Sequence, residues 1–289
     1  MRIQVKIINA FVFDGQGGNP AGVVLDADEL SSDQKLKIAA KVGLSETAFV
    51  SRSSVADFKL DFFTPNRQIA HCGHATVAVF SYLSQTGRLN SNHSSKETID
   101  GRREIIIRDG LAFMEQKAPQ FYEPLELYDD VWFSLGLHAN DGTEELPISV
   151  VNTGNSFLMV PVASKEKLAT IRPDKKLIHK ISEQLDLIGF YPFSLDTFQS
   201  GHDASTRMFG PRYAIDEEAG TGMAAGPLAC YLHEKTINKK SGYVIEQGWL
   251  MTPPSPSEII VDLNFQKGSI QGLMAGGRGK VMRELELDI

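Results

Sequence analysis

Apolar and polar residues alternate singly along much of this chain, beginning with MRIQVKIINAF at the N-terminus. Period-two alternation is what a strand shows when one face is buried and the other is wet. It predicts strands at 3–9, 21–25, 47–51, 57–63, 104–108 and 111–116. A second set follows at 148–152, 157–162, 189–194, 206–209, 243–246, 258–263, 269–273 and 281–287. Helical periodicity is rarer. Ser31 opens an S-x-x-Q capping signature, and Leu36, Ala39, Ala40 and Gly43 then share one face. Residues 174–185 are amphipathic, with Leu177, Ile178, Ile181 and Leu185 on one side. Segments 73–85 and 222–233 differ, because each starts at a glycine and is apolar on every face. Such helices belong inside a core. Pro227 is expected near the first turn of the second one, where a missing N–H does little harm.

The two buried helices have similar approaches. FFTPNRQIAHCGHA leads into the first and RMFGPRYAIDEEAGTG into the second, each with a Phe-x-Pro strand end and a glycine turn. This duplication at half the chain length predicts an α+β fold of two similar lobes, each a curved, mostly antiparallel sheet or barrel around a central buried helix. The expected lobes are 1–117, completed by 280–289, and 118–279, with the crossover near APQFYEP and the active site in the cleft between them.

Composition narrows the function. The 289 residues carry a net charge of −7 and 42% apolar residues, which supports sizeable cores and gives no electrostatic footprint for nucleic acid or an anionic membrane. Apolar runs fall short of the ~20 residues of a membrane helix, and no signal-peptide pattern opens the chain. Two cysteines, Cys72 and Cys230, make no disulfide framework and fit a reducing, cytoplasmic setting.

The glycine clusters are turns. GQGGNPAGVV leads into a strand where a dinucleotide site needs a helix, and Asn19 is expected to hydrogen-bond into that turn. GGRGKVM lacks the P-loop spacing. His71, Cys72 and His74 are too close in sequence to surround one ion, so no metal site is expected. Glu46, in GLSETAFV, precedes a strand otherwise small or apolar; it is either an exposed strand-end carboxylate or a partly desolvated general base. The turns CGHA and AGTG offer unpaired helix N-terminal N–H groups, a cradle for a carboxylate or a developing enolate. His74 can exchange protons near neutral pH.

In order and spacing, GNPAGVVLDADELS, GLSETAFV, FFTP, CGHATVA, NTG and RMFGP…EEAGTGMAAGPL resemble the PhzF-like family, named for the phenazine-biosynthesis isomerase, within the diaminopimelate epimerase-like fold. The resemblance covers essentially the whole chain. It implies a homodimeric, cofactor-independent isomerase without metal, acting on a small-molecule carboxylate. In the phenazine enzyme the substrate is a dihydro-hydroxyanthranilate, and the glutamate that shuttles its proton falls on Glu46. The family's histidine falls on His74. The second-lobe motif departs from E-D-P-x-T-G-S-A: Glu218, Ala219 and Met223 stand where the family has aspartate, proline and serine. The candidate set is Glu46, His74 and Glu218 for catalysis, with Cys72, Gly73, Gly220, Thr221, Gly222, Met223 and Asn19 around the substrate. Two alternatives remain: an amino-acid racemase or epimerase using cysteine and glutamate, and a non-catalytic binder on the same fold. A two-thiol racemase needs a cysteine at each turn, and the second position is Ala219. Cys72, at a helix N-terminus, is expected to have a lowered thiol pKa.

Overall fold

The alternating N-terminal stretch forms the strand Arg2–Ala10, which pairs antiparallel with Asn19–Val24 on one side and Gly279–Asp288 on the other. The computed structural model covers residues 1–289, and they divide into two compact units. One holds Met1–Glu115 and Gly276–Ile289, the other Gln116–Ala275. Both mix α and β, with mostly antiparallel pairing.

In the first unit the sheet continues from Asn19–Val24 to Thr47–Ser51, Phe58–Phe63, His93–Thr98 and Gly101–Arg108. Helix α1 (Ser32–Val42) begins with the full capping box: Gln34 N donates to Ser31 Oγ at 3.3 Å, and Ser31 N donates to Gln34 Oε1 at 2.9 Å. It ends at Gly43 in the left-handed region (φ 68°). Ile38 and Ala39 bury its inner face against Phe49 and Phe63. Helix α2 (Gly73–Gln85) is buried on nearly all sides. It packs against Arg2–Ala10, Asn19–Val24, Thr47–Ser51, Gly101–Arg108 and Gly279–Asp288, so the sheet curves around it.

The second unit repeats the plan with additions. Ser149–Asn152 pairs with Gln120–Tyr122 and with Ser156–Pro161, and pairing continues through Gly189–Ser194, Ala204–Thr206 and Gly242–Gln247 to Ser257–Gln266. Three short helices, α3 (Tyr128–Ser134), α4 (Lys165–Thr170) and α5 (Lys175–Gln184), bury Trp132, Leu168, Ile178 and Ile181 in one cluster with Val150, Leu158 and Phe190. Helix α6 (Gly222–Lys235) packs against Ser149–Asn152, Ser156–Pro161, Gly242–Gln247 and Ser257–Gln266.

Several sequence expectations need correction. The segment where the crossover is expected also carries a short strand, Gln120–Tyr122, which that expectation did not include. The strand expected at 206–209 lies at Ala204–Thr206, and Phe209 makes only an isolated bridge to Phe190. Pro227 stands inside α6 in its second turn, so its ring removes the i→i−4 hydrogen bond to the Met223 carbonyl. Helices α3 and α4 escaped detection because six or seven residues give too little periodicity. At the first glycine cluster, Gly15, Gly17 and Gly18 all take positive φ, and a Cβ on Gly18 would meet the Ala10 carbonyl at 2.6 Å. Asn9 bonds into this turn, its Nδ2 donating to Gly17 O at 2.6 Å. Asn19 is the buried first residue of the next strand, opposite Ala10.

Candidate active site

Glu46 precedes the strand Thr47–Ser51, and its carbonyl accepts from Gly22 N at 3.0 Å. A Cβ on Gly22 would lie 2.7 Å from Thr47 Oγ1, so glycine is what lets these two strands close beside Glu46. The carboxylate is buried at 8% exposure. His74, in the first turn of α2, is 4% exposed. Its Nε2 lies 3.4 Å from Glu46 Oε2, and its Nδ1 lies 3.6 Å from Cys72 Sγ. Cys72 is the N-cap residue of α2 but makes no side-chain cap bond. A carboxylate, an imidazole and a thiol thus form a buried row at a helix N-terminus, where the helix dipole favours negative charge.

The thiol does not behave as its helix position suggested. Burial pushes the Cys72 thiol above its ordinary value; His74 opposes this and Glu46 adds to it. Desolvation of a thiolate outweighs the dipole, so Cys72 stays protonated at neutral pH.

The three groups have atoms within 4.8 Å of one another, close enough to raise the question of a metal. The imidazole turns one nitrogen to each neighbour, making a row instead of a cage around one point, and the thiol is held protonated. Metal binding at a Cys site needs thiolate. The arrangement fits proton movement better than cation binding.

The second turn is built differently. Thr221, N-cap of α6, donates its hydroxyl to Glu218 Oε2. Gln247, at the end of strand Gly242–Gln247, holds the turn from behind. Its Nε2 donates to Glu218 O (2.7 Å) and Thr221 Oγ1 (3.0 Å), and its Oε1 accepts from Thr221 N (3.0 Å) and Tyr191 OH (2.9 Å). Thr206 Oγ1 contacts Tyr191 OH at 3.0 Å and donates to Glu246 O at 2.7 Å. Gln116 reaches Gly222 O at 2.9 Å and accepts from Thr153 Oγ1 at 2.7 Å. A Cβ on Gly226 would meet Gln116 Oε1 at 2.5 Å, so that glycine makes room for the amide. The NTG segment is therefore part of this scaffold. Glu217 forms a two-pronged pair with Arg207, both contacts at 2.8 Å, which separates its structural role from that of its neighbour Glu218. Gly220, Gly222 and Ala219 are buried, and Met223 is half-buried.

The structure thus gathers Glu46, Cys72, Gly73 and His74 in one unit, and Glu218, Gly220, Thr221, Gly222 and Met223 in the other. The sequence reading missed Gln247, Tyr191 and Thr206. It also missed Lys96, and it weighed His71 only as a metal ligand; both pack behind the first turn. Gln247 ends an apolar strand, a weak signal; Lys96 lies in HSSKET, where nothing alternates.

Comparison with known proteins identifies the family. Residues 8–282 match the family model described as phenazine biosynthesis-like protein, PhzC-PhzF. An uncharacterised isomerase, YddE of Escherichia coli O157:H7, is 34% identical over 251 residues, covering 85% of this chain and 84% of the relative. The trans-2,3-dihydro-3-hydroxyanthranilate isomerase of Pseudomonas chlororaphis is 32% identical over 234 residues, 78% of each chain. Among solved structures, a PhzF-family phenazine biosynthesis protein of Bacillus anthracis superposes with a TM-score of 0.93 over the full length of both chains at 28% identity. No helix of this chain is long and apolar enough to cross a membrane. The chain belongs to the phenazine biosynthesis-like PhzC-PhzF family and is an isomerase.

Proposed function

We propose that Glu46 is a general base that removes a proton from a carbon of a small cyclic or amino-acid-like carboxylate and returns it to another carbon. One observation carries the reading: the side chain of Glu46, at 8% exposure, lies 3.4 Å from the buried imidazole of His74 at a helix N-terminus. The C–H bond breaks, its electron pair delocalises toward the substrate's unsaturated system, and the protonated Glu46, in exchange with solvent, delivers a proton that forms a new C–H bond elsewhere. Atoms and electrons balance within the substrate, so the step calls for no oxidant and no group donor. His74 supports the exchange by placing its Nε2 3.4 Å from the carboxylate, and the α2 N-terminus favours the developing negative charge.

Glu218 is the candidate acidic group of the second turn. It keeps the charge of the family's aspartate but reaches one methylene further, while Met223 fills space where the family has a hydroxyl. Both departures support a substrate other than the dihydro-hydroxyanthranilate of the Pseudomonas relative. The same reading takes the enzyme as a cytoplasmic homodimer, supported by family resemblance and by two buried free cysteines.

The test incubates the enzyme in heavy water with a panel of such acids, that relative's substrate included, and follows deuterium at carbon. Solvent deuterium entering the wild-type product, together with loss of turnover in Glu46→Gln while binding survives, supports the base. Equal rates for both proteins reject Glu46, and ligands that bind but never isomerise or exchange favour a non-catalytic binder.

A further inference from the structure

Behind the first turn lies a fully buried lysine. Lys96 sits on strand His93–Thr98 at 0% exposure. Its Nζ donates to Thr76 Oγ1 at 2.6 Å, lies 3.4 Å from His71 Nδ1, and stands 5.3 Å from the centre of the Phe62 ring. Thr76 passes the contact on, donating its hydroxyl to the Cys72 carbonyl at 2.6 Å. A continuous chain therefore runs from Lys96 through Thr76 to the backbone of the turn that carries His74.

The two hydrogen-bonding partners of the ammonium are neutral, an unusual setting for a buried cation. Burial brings Lys96 down from its ordinary 10.5 to about 7; Arg103, opposite it on strand Gly101–Arg108, adds to this, while Cys72 and Asp100 act against it. His71 is held well below its ordinary 6.5 by burial, then by Lys96 and Arg103. It stays neutral near pH 7, and its Nδ1 can accept from Lys96. On the remaining side the faces presented to Nζ are Thr76 from α2 and Phe62 from strand Phe58–Phe63.

We propose that Lys96 is a pH-sensitive positioning residue: through Thr76 its ammonium fixes the Cys72 carbonyl, and with it the aim of the His74 ring toward Glu46. A charged donor makes a hydrogen bond roughly twice as strong as a neutral one. Loss of the proton weakens the hold on Thr76 and loosens the turn without disturbing the sheet. The functional meaning rests on the acid–base reading given above, but the coupling itself does not.

The test is a pH titration of the full chain carrying 13C at lysine Cε and histidine Cε1, read by NMR. The Lys96 signal is assigned by its loss in Lys96→Met, and the His74 signal by its loss in His74→Asn. One lysine should titrate near 7, well below its ordinary 10.5, and His74 should show a step at the same midpoint. Lys96→Arg, which stays charged, should abolish that step. Thr76→Val should leave the lysine titrating while the His74 step shrinks by more than half, and this variant decides the matter if changes at Lys96 prevent folding. A His74 signal that titrates identically in wild type and Thr76→Val, or a Lys96 that titrates near 10, overturns the proposal. None of these readings uses substrate. If Glu46→Gln turns over as fast as wild type while the shared step persists, the base assignment fails and the positioning role stands.

Discussion

The two glycine turns begin similar helices and are supported in opposite ways. Behind Cys72–His74 stand Lys96 and His71, groups whose charge depends on pH, joined to α2 through one hydroxyl. Behind Glu218–Gly222 stand Gln247, Tyr191, Thr206 and Gln116, amides and hydroxyls that keep one charge state across the working range. Tyr191 is no exception, since burial drives its phenol further from ionisation. On the acid–base reading proposed above, a turn that moves protons tolerates titratable neighbours, which would tune it. A turn that must hold fixed dipoles is better served by neutral partners that satisfy one another completely.

The largest expected effect separates the turns by chemistry. Glu46→Gln should slow isomerisation by about 10²–10⁴-fold, the usual contribution of a general acid–base group, and should act on kcat more than on KM. Glu218→Gln, whose Oε2 is engaged by Thr221, should cost about tenfold, as the loss of one charge-assisted contact does. Combining the two tests whether both carboxylates serve one bound substrate. Strict additivity would mean that the two carboxylates act independently, and a double variant no slower than Glu46→Gln would mean that they act in one step.

Stability should show the contrast next. Gln247→Leu keeps the volume but strips partners from Thr221 N, Tyr191 OH and Glu218 O. Leaving buried groups unsatisfied costs roughly 1–3 kcal/mol each, so urea unfolding should register a loss of about 3 kcal/mol, equal at pH 6 and pH 9. A pH-dependent loss would mean that the second turn also contains a titrating support.

Lys96→Met should do the reverse. Folding lowers the Lys96 pKa from 10.5 to about 7. Below pH 7 the native state therefore carries the full cost of a buried charge, and that cost fades as pH rises from about 7 toward 10.5. Replacing a buried charge by an apolar side chain of similar size is often stabilising by about 1–4 kcal/mol. The gain should be about 2 kcal/mol near pH 6 and should shrink toward pH 10. A variant that is less stable at pH 6 would show that the lysine holds the unit together and is not a tuned strain.

Much of this was legible in the sequence, and the gaps have physical causes. The bounds of α2 could be read to the residue, because a glycine start and an all-round apolar run leave few alternatives. The capping box at Ser31 announced α1. Glu46 and His74 could be nominated through family motifs, yet their 3.4 Å approach could not, since it depends on sheet pairing between Gly22 and Thr47. Lys96 was invisible: in HSSKET a polar strand buries its polar side chains against α2 and its neighbours, so alternation carries no message. Gln247 was hidden for the opposite reason, as Glu246 and Gln247 closing an otherwise apolar strand look like an ordinary strand end. The thiol pKa was misjudged because a sequence reveals a helix terminus but gives no measure of desolvation.

The smallest expected effect concerns that thiol. Cys72 lies 3.6 Å from His74, so its removal tests whether the first turn has a second proton carrier. Burial holds the thiol protonated, and a thiol above its ordinary pKa is a poor base at neutral pH. Ala219 supplies no partner at the other turn. Cys72→Ser retains a small side chain able to hydrogen-bond the His74 ring, and should lower kcat/KM by less than about tenfold, in line with one altered hydrogen bond. Alkylation of Cys72 by iodoacetamide should be slow at pH 7 for the same reason. A loss of several orders of magnitude in Cys72→Ser, with rapid alkylation protected by substrate, would put the thiol in the reaction. The first turn would then be a two-carrier site, Glu46 and Cys72 sharing His74 between them, and the assignment of proton transfer to Glu46 alone would fall.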